Sequence, residues 1–135
     1  MRILAIDPGD RRIGLAVSDK LCLTAQPLAT FDRKMGKSFF RHLEGLVIHY
    51  NIGDIVVGHP LALSGRKTTS GNKAETLALK IREALDVKVT LWDERLTSVE
   101  ANRVLKGSRA GKDAVDKIAA VLLLQNYLDY LHRQS

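Results

Sequence analysis

The chain is short of the residues that build disulfide frameworks, aromatic stacking surfaces and membrane spans. Its one cysteine, Cys22, has no partner for an internal disulfide, and its apolar surroundings predict a small core residue. Aromatic residues make up only 5% of the sequence, so a platform for stacking single-stranded bases is not indicated. No apolar run approaches the roughly 20 residues of a membrane-spanning helix, and the first residues acquire charge too early for a signal peptide. We therefore expect a cytoplasmic protein that makes no membrane contact.

Two common kinds of site are also missing from the sequence, since it contains no phosphate-binding P-loop and no Cys–His cluster. What it has instead is basic charge: 21 Lys and Arg stand against 15 Asp and Glu, a formal net charge of +6. Such a surplus attracts polyanions, because each basic side chain on a phosphate backbone releases condensed counterions. The alternative is that the charge serves only solubility. We favour a nucleic acid as partner, although the charge surplus does not distinguish RNA from DNA.

The length of 135 residues, 45% of them hydrophobic, predicts a single domain over residues 1–135. Short apolar runs predict strands at 3–6 and 12–18, joined by the Asp7–Asp10 turn as a hairpin. A third strand is predicted at 21–30, and Pro27 indicates that part of it lies at a sheet edge.

After residue 38 the hydrophobic period changes to that of alternating helices and strands. We interpret 64–72 as a loop because it is rich in Gly, Ser, Thr and basic residues. This order predicts an α/β fold of three layers, in which an antiparallel meander leads into parallel strands and helices cover both sheet faces. The predicted elements are helix 39–50, strand 54–58, helix 74–85, strand 87–92, helix 97–105 and helix 113–132.

Acidic residues stand at three places where the predicted fold would bring them together. Asp7 ends the first strand, Asp93 and Glu94 end strand 87–92, and a further pair opens the last helix, Asp113 and Asp116. Ligand sites in open α/β sheets form beyond the carboxyl ends of parallel strands. Carboxylates there can hold two magnesium ions, which stabilise the attacking and leaving oxygens of a phosphodiester.

Each acid also has an explanation without chemistry. Asp7 is suited to a turn, Asp93 or Glu94 to a surface ion pair with Arg95, and Asp113 to a helix N-cap. Only the coincidence of all three places favours a metal site. Spacing alone does not decide between Asp93 and Glu94, nor between the two acids of the last helix.

Five sequence blocks, spread over almost the whole chain and in the same order, resemble the motifs of the YqgF family. This family comprises bacterial proteins described as nucleases of the 16S rRNA precursor and as Holliday junction resolvases. The blocks are Ile6–Gly9, Arg12–Ala16, Val57–Leu61, Trp92–Ser98 and Asp116–Gln125.

The resemblance implies a ribonuclease-H-like fold with catalytic, metal-binding acids at Asp7, Glu94 and Asp116. It also implies Mg²⁺ or Mn²⁺ as cofactor and a nuclease that processes the 5′ end of pre-16S rRNA. The alternative enzyme is a Holliday junction resolvase acting on branched DNA, which needs a homodimer to face two strands. A nucleic-acid or ribosome-binding module without activity is the third hypothesis, and the sequence leaves monomer and homodimer open.

Four further residues are expected to contact the substrate backbone: Gly9, Arg12, Arg95 and Lys117. Gly9 allows close approach of a phosphate to the main chain, and the other three supply positive charge. His59 stands where the family commonly has an apolar residue. It could assist proton transfer near the site, and we favour a structural role.

Overall fold

The computed structural model describes residues 1–9, 11–35, 38–59, 69–93 and 112–134, with the backbone alone at positions 35, 70 and 112–116. The predicted helix 97–105 lies outside these ranges. The described part contains five strands in one sheet, in the order β3-β2-β1-β4-β5. Its elements are β1 (Arg2–Asp7), β2 (Arg12–Ser18), β3 (Ala25–Asp32), a 3₁₀ turn (Arg33–Met35), α1 (Phe39–Tyr50), β4 (Ile52–His59), α2 (Thr69–Ala84), β5 (Lys88–Asp93) and α3 (Lys112–Gln134).

The sheet is mixed, as the sequence predicts. β1, β2 and β3 form an antiparallel meander, and β4 and β5 add to the other side of β1 as parallel strands. Pro27 lies in β3, which is an edge strand, so its missing N–H does not interrupt the interior of the sheet.

Alternation along the strands divides the core between the two faces of the sheet. In β1, Leu4 and Ile6 belong to a cluster that includes residues of α1 and α2. Ile3 and Ala5 belong to a second cluster, which includes residues of α3. Because successive strand residues point to opposite faces, helices cover both faces, and the predicted three-layer arrangement is confirmed.

The third strand begins four residues later than predicted. The carboxylate of Asp19 accepts hydrogen bonds from the backbone N–H groups of Leu23 and Thr24, at 2.7 and 2.9 Å, and holds residues 19–24 in a turn. Cys22 lies in this turn with a positive φ of 56°. It is half-buried and packs beside the α3 cluster, so the expectation of a core residue inside a strand was wrong.

The predicted loop 64–72 was also too long, because α2 already begins at Thr69. The side of α2 that packs on the sheet carries Gly71, Ala74, Ala78 and Ile81, all buried. These residues recur at helical spacing, but the first of them is a glycine. Because a glycine adds nothing to a hydrophobic pattern, the pattern did not reveal where the helix begins. The small residues let the first turns of α2 lie close to the strands.

α3 crosses the second face of the sheet in a defined direction. Its buried residue Ala120 packs in one cluster with Ala5 of β1. Farther along, the side-chain oxygen of Gln125 accepts a hydrogen bond from the N–H of Ala25, where β3 begins, and His132 lies 2.8 Å from the carbonyl of Cys22. The later half of α3 therefore lies toward the amino end of β1, and its first turns extend toward the carboxyl end. Within the described ranges, no helix has the length and apolarity to cross a membrane.

Asp54 of β4 ties α3 to the sheet through side-chain hydrogen bonds. The Tyr127 hydroxyl donates to its Oδ2 at 3.1 Å, and the Thr90 hydroxyl of β5 donates to its Oδ1 at 3.4 Å. Burial raises the pKa of the Asp54 carboxyl above its ordinary value, and the hydrogen bonds and Lys88 only partly offset this.

Because this pKa is raised, we expect ionisation of Asp54 to lower the free energy of unfolding. A carboxyl whose pKa is higher in the folded state stabilises the fold below its unfolded pKa, and that contribution is lost as pH rises through the folded pKa. Asp54→Asn keeps an acceptor for Tyr127 without the charge. From about pH 4 to about pH 7, urea unfolding should show the variant gaining stability relative to wild type. A relative loss over this range would contradict the prediction.

Candidate active site at the carboxyl edge of the sheet

Asp7 is the last residue of β1, the central strand of the sheet. It follows Ile3 and Ala5 at the strand period of two, so it lies on the face that α3 covers. It is half-buried. The predicted position of this acid at a strand end, where ligand sites form in α/β sheets, is confirmed.

Glycines stand beside Asp7 on both neighbouring strands. Gly14 of β2 is its direct antiparallel partner. On β4, Ile6 pairs with Val57, so Gly58 is the next position beside Asp7 on the same face. Neither neighbour carries a side chain that could fill the space next to the carboxylate. On the next strand, β5, the register partner of Gly58 is Trp92.

The turn that follows Asp7 is anchored by Arg33. Its Nε donates a 2.9 Å hydrogen bond to the carbonyl of Gly9, and its backbone N–H donates a 2.8 Å bond to the carbonyl of Arg11. Gly9 has no room for a side chain, since a Cβ there would overlap the backbone carbonyl of Arg12. Packing as well as hydrogen bonding therefore determines the path of the chain beyond Asp7.

Two of the predicted basic contacts have described side chains. Arg12 begins β2 and shares the face of Gly14, two residues before it, and thus the face of Asp7. Lys117 lies in the second turn of α3 and is half-buried. Arg95 lies outside the described residues.

The structure describes the other two predicted catalytic acids only in part. Asp116 falls within α3, but its side chain is outside the described part, and Glu94 is outside it altogether. Among the residues with described side chains, no three His, Cys, Asp or Glu come together in a metal-binding group. The assignment of the acidic triad therefore stays a prediction.

Two residues near the edge belong to the other side of the sheet. His59, at the end of β4, has its Nε2 at 3.3 Å from Oε1 of Glu75 on α2, an ion-pair distance without hydrogen-bond geometry. Asp93 is the register partner of His59 and lies on the same face. Both are therefore on the opposite face from Asp7, in agreement with the structural role expected for His59.

α3 begins at Lys112, so Asp113 is already inside the helix and is not the N-cap that the sequence predicts. Sequence reasoning also missed Arg33, which belongs to none of the motifs that marked the other candidate residues. Its only signal was a basic residue three positions after the end of the predicted strand 21–30. The contact with Gly9 spans 24 residues and depends on the β2–β3 pairing, which a single sequence does not show.

Comparison with known proteins gives a consistent family. Residues 1–130 match the family described as "RuvX: Holliday junction resolvase". A protein of Thermoanaerobacter pseudethanolicus named "Putative pre-16S rRNA nuclease" is 43% identical over 134 residues, covering 96% of each chain. A protein of Koribacter versatilis with the same name is 47% identical over 132 residues, covering 95% of this chain and 86% of that one.

Solved structures agree on the fold. Thermus thermophilus RuvC in complex with a Holliday junction substrate superimposes with a TM-score of 0.57 at 15% identity, covering 97% of this chain and 96% of that one. The fowlpox virus Holliday junction resolvase superimposes with a TM-score of 0.55 at 14% identity, covering 97% of this chain and 99% of that one. These likenesses support the ribonuclease-H-like fold, and the names of the sequence relatives agree with the predicted nuclease class. Because both the family match and the relatives span nearly all of its length, the chain belongs to the RuvX (YqgF) family.

Proposed function

We propose that the chain is a divalent-metal-dependent nuclease that processes the 5′ end of pre-16S rRNA in the cytoplasm, with Asp7, Glu94 and Asp116 as its catalytic acids. One observation carries the proposal. Asp7 ends the central strand on the face that α3 covers, with Gly14 and Gly58 on the strands at either side. Neither flanking residue places a side chain beside this carboxylate, which lies at the edge where α/β sheets bind ligands.

The packing of α3 supports Asp116 as the second acid. Ala5 and Ala120 lie in the same cluster. Asp7 is two strand residues beyond Ala5, about 7 Å at 3.3 Å per residue. Asp116 is four helical residues before Ala120, about 6 Å at 1.5 Å per residue. Both steps lead toward the carboxyl edge of β1, so from this shared cluster Asp7 and Asp116 are displaced in the same direction by similar distances.

The faces of β5 support Glu94 as the third acid over its neighbour. The ring of Trp92 packs against Tyr127 of α3 with centroids 5.2 Å apart, so Trp92 faces α3 and Asp93 faces away. An acid on the far side of the sheet cannot share a metal ion with Asp7. Of the two acids, the proposal therefore retains Glu94.

The described surroundings of Asp7 fit Mg²⁺ or Mn²⁺. Magnesium binds through a few carboxylates and keeps several waters, so it needs room beside its protein ligands. Neither flanking glycine places a side chain in that room. When bound, such ions supply Lewis-acid stabilisation and a nucleophilic water for phosphodiester hydrolysis.

The remaining residues of the site would hold the substrate strand. Arg12 shares the face of Asp7 and can donate paired hydrogen bonds to a phosphate. Lys117, at the start of α3, adds a second positive charge near the same edge. Gly9 lets a phosphate approach the main chain after β1. Arg95 is retained as a fourth contact from its place beside Glu94 in the sequence.

The names of the relatives supply the choice of substrate. Proteins up to 47% identical are named as nucleases of pre-16S rRNA, which favours RNA. The family description and the RuvC–junction complex favour the second candidate, cleavage of branched DNA by a homodimer. Both candidates use the same acids and differ in the nucleic acid that is bound.

A side-by-side cleavage assay tests the proposal. A precursor 16S rRNA with its 5′ leader and a four-way DNA junction are incubated with the protein in Mg²⁺, in Mn²⁺ and in excess EDTA. We expect the RNA leader to be cut in either metal and left intact in EDTA, because the acids act only through the ions they hold.

Restoring Mg²⁺ to the EDTA-treated sample should restore cutting, which shows that the protein is still folded. Cutting of the junction alone, by a protein that sediments as a dimer, would replace the rRNA proposal with the resolvase. Undiminished cutting in EDTA would reject the metal-dependent mechanism for both substrates.

A further inference from the structure

A cleft of about 550 Å³ opens at the carboxyl edge of the sheet, between the turn after β1 and the helices α1 and α2. Its volume lies within the range of about 300–1,000 Å³ that is usual for ligand sites. One wall is a single stripe of α2, including Asn72, Lys73, Thr76 and Lys80 at spacings of three and four. It is a different stripe from the one that packs on the sheet.

The charged side chains among the described residues of this cleft are all basic. Arg33, Lys73 and Lys80 line it, and no Asp or Glu is among the described residues of its walls. Asn72 and Thr76 add neutral hydrogen-bonding groups. Three cations from two separate elements, with polar groups between them, are complementary to an anion that carries several charges, such as a phosphodiester chain.

The cleft adjoins the proposed catalytic edge at the turn after β1. Pro8 and Gly9 line it, and they follow Asp7 directly in the chain. Two residues span at most about 7 Å, so the cleft begins within that distance of the Asp7 backbone. Arg33 holds this turn by its Nε bond to Gly9, and its guanidinium has two further nitrogens that can donate to phosphate.

Another part of the cleft lining is apolar. Phe39 and Phe40, at the start of α1, line it and pack against each other with ring centroids 6.2 Å apart. Both are half-buried, so part of each ring surface is accessible. A wall of this kind beside the cations suits the sugar and base of a nucleotide whose phosphates face α2.

We propose that this cleft is a second binding subsite for the substrate, in which Lys73, Lys80 and Arg33 hold backbone phosphates of the strand that flanks the cleaved bond. The proposal rests on the nuclease function above and extends it across the sheet edge to the α1/α2 side. Phosphates follow one another at about 3.4 Å of axis along a strand, so a strand held at Asp7 passes the Pro8–Gly9 turn within a few nucleotides.

Salt dependence of binding tests the subsite. The full-length protein, in EDTA so that nothing is cut, is titrated against a mixed-sequence single-stranded RNA and a four-way DNA junction over a series of salt concentrations. Lys80→Ala and Lys73→Ala should each make the slope of log K against log salt shallower, by about 0.7 for the single strand and about 0.9 for duplex DNA.

Lys20→Ala is the matched control, since it removes one exposed lysine from the turn after β2, at the other end of the sheet. Its slope should equal that of wild type. Lys80 is exposed on a helix, and alanine favours helices, so its variant should fold normally. If Lys73→Ala and Lys80→Ala both give the same salt slope as the control with both nucleic acids, the subsite is rejected.

Cleavage separates the subsite from the proposed nuclease function. A phosphate contact away from the reacting bond binds ground state and transition state alike, so Lys80→Ala should raise KM and leave kcat unchanged. Shallower slopes without any metal-dependent cutting would retain the subsite and reject the nuclease. Normal cutting with unchanged slopes would retain the nuclease and reject the subsite.

Discussion

Asp7→Asn protein should bind nucleic acid as tightly as wild type and cut it on the order of 10³-fold more slowly. The substitution keeps the shape of the side chain but removes the negative charge that would hold a divalent ion at the end of β1. Loss of several kcal/mol of Lewis-acid stabilisation corresponds to a rate loss of about this size. Single-turnover cleavage in Mg²⁺, with binding measured in EDTA, gives the two quantities separately.

Asp93→Asn is the matched control, because Asp93 carries the same side chain near the same sheet edge but on the α1/α2 face. We expect it to cut at the wild-type rate. The same comparison extends to the other proposed acids, with Glu94→Gln and Asp116→Asn losing activity and Asp113→Asn retaining it. Equal losses in Asp93→Asn and Asp7→Asn would show that the strand faces do not decide which acids bind metal.

Local patterns were sufficient to predict most of the fold. Ser38 accepts a hydrogen bond from the N–H of Arg41 as N-cap of α1, and Asn51 ends that helix with a left-handed φ of 54°. Both residue types are typical of their positions, so the helix could be placed within a residue. Two element boundaries were predicted wrongly. The start of β3 was placed too early because the Asp19 side chain holds the preceding residues in a turn. The start of α2 was placed too late because its first buried residue, Gly71, does not add to the hydrophobic pattern.

The site was predictable to the level of strand ends and no further. Asp7 could be placed from its strand and its motif, since the apolar run 3–6 stops directly before it. The face of β5 that Asp93 occupies depends on the phase of the strand, which the register with His59 and the contact of Trp92 with Tyr127 show. Family resemblance chose Glu94 in the sequence, and that choice stays a prediction because residue 94 lies outside the described residues.

The basic cleft was beyond sequence reasoning for a different reason. Its cations come from residues 33, 73 and 80, which belong to two elements that are distant in the chain. They lie together because the β2–β3 pairing brings Arg33 to the turn after β1, and the parallel pairing of β4 with β1 places α2 beside the same turn. A charge count of +6 predicts a polyanion partner but does not locate the surface that binds it.

Gly9→Ala should lower cleavage by about 10²-fold, although residue 9 carries no side chain that takes part in the chemistry. The added Cβ would overlap the carbonyl of Arg12, and both atoms belong to the same tight turn. Backbone cannot rotate out of the way as a side chain can, so the turn must shift. A displacement of about 1 Å at a reacting group is enough to cost about 10²-fold in rate.

Gly45→Ala provides the control for this prediction, because a Cβ at Gly45 meets nothing within 4 Å and the residue is exposed in the middle of α1. Alanine there should raise the free energy of unfolding by about 1 kcal/mol and leave cleavage unchanged. Gly9→Ala should instead lower that free energy by about 1–3 kcal/mol, as overpacking does. Wild-type cleavage by Gly9→Ala would mean that Asp7 is positioned independently of the turn, and that the contact between Arg33 and Gly9 serves stability alone.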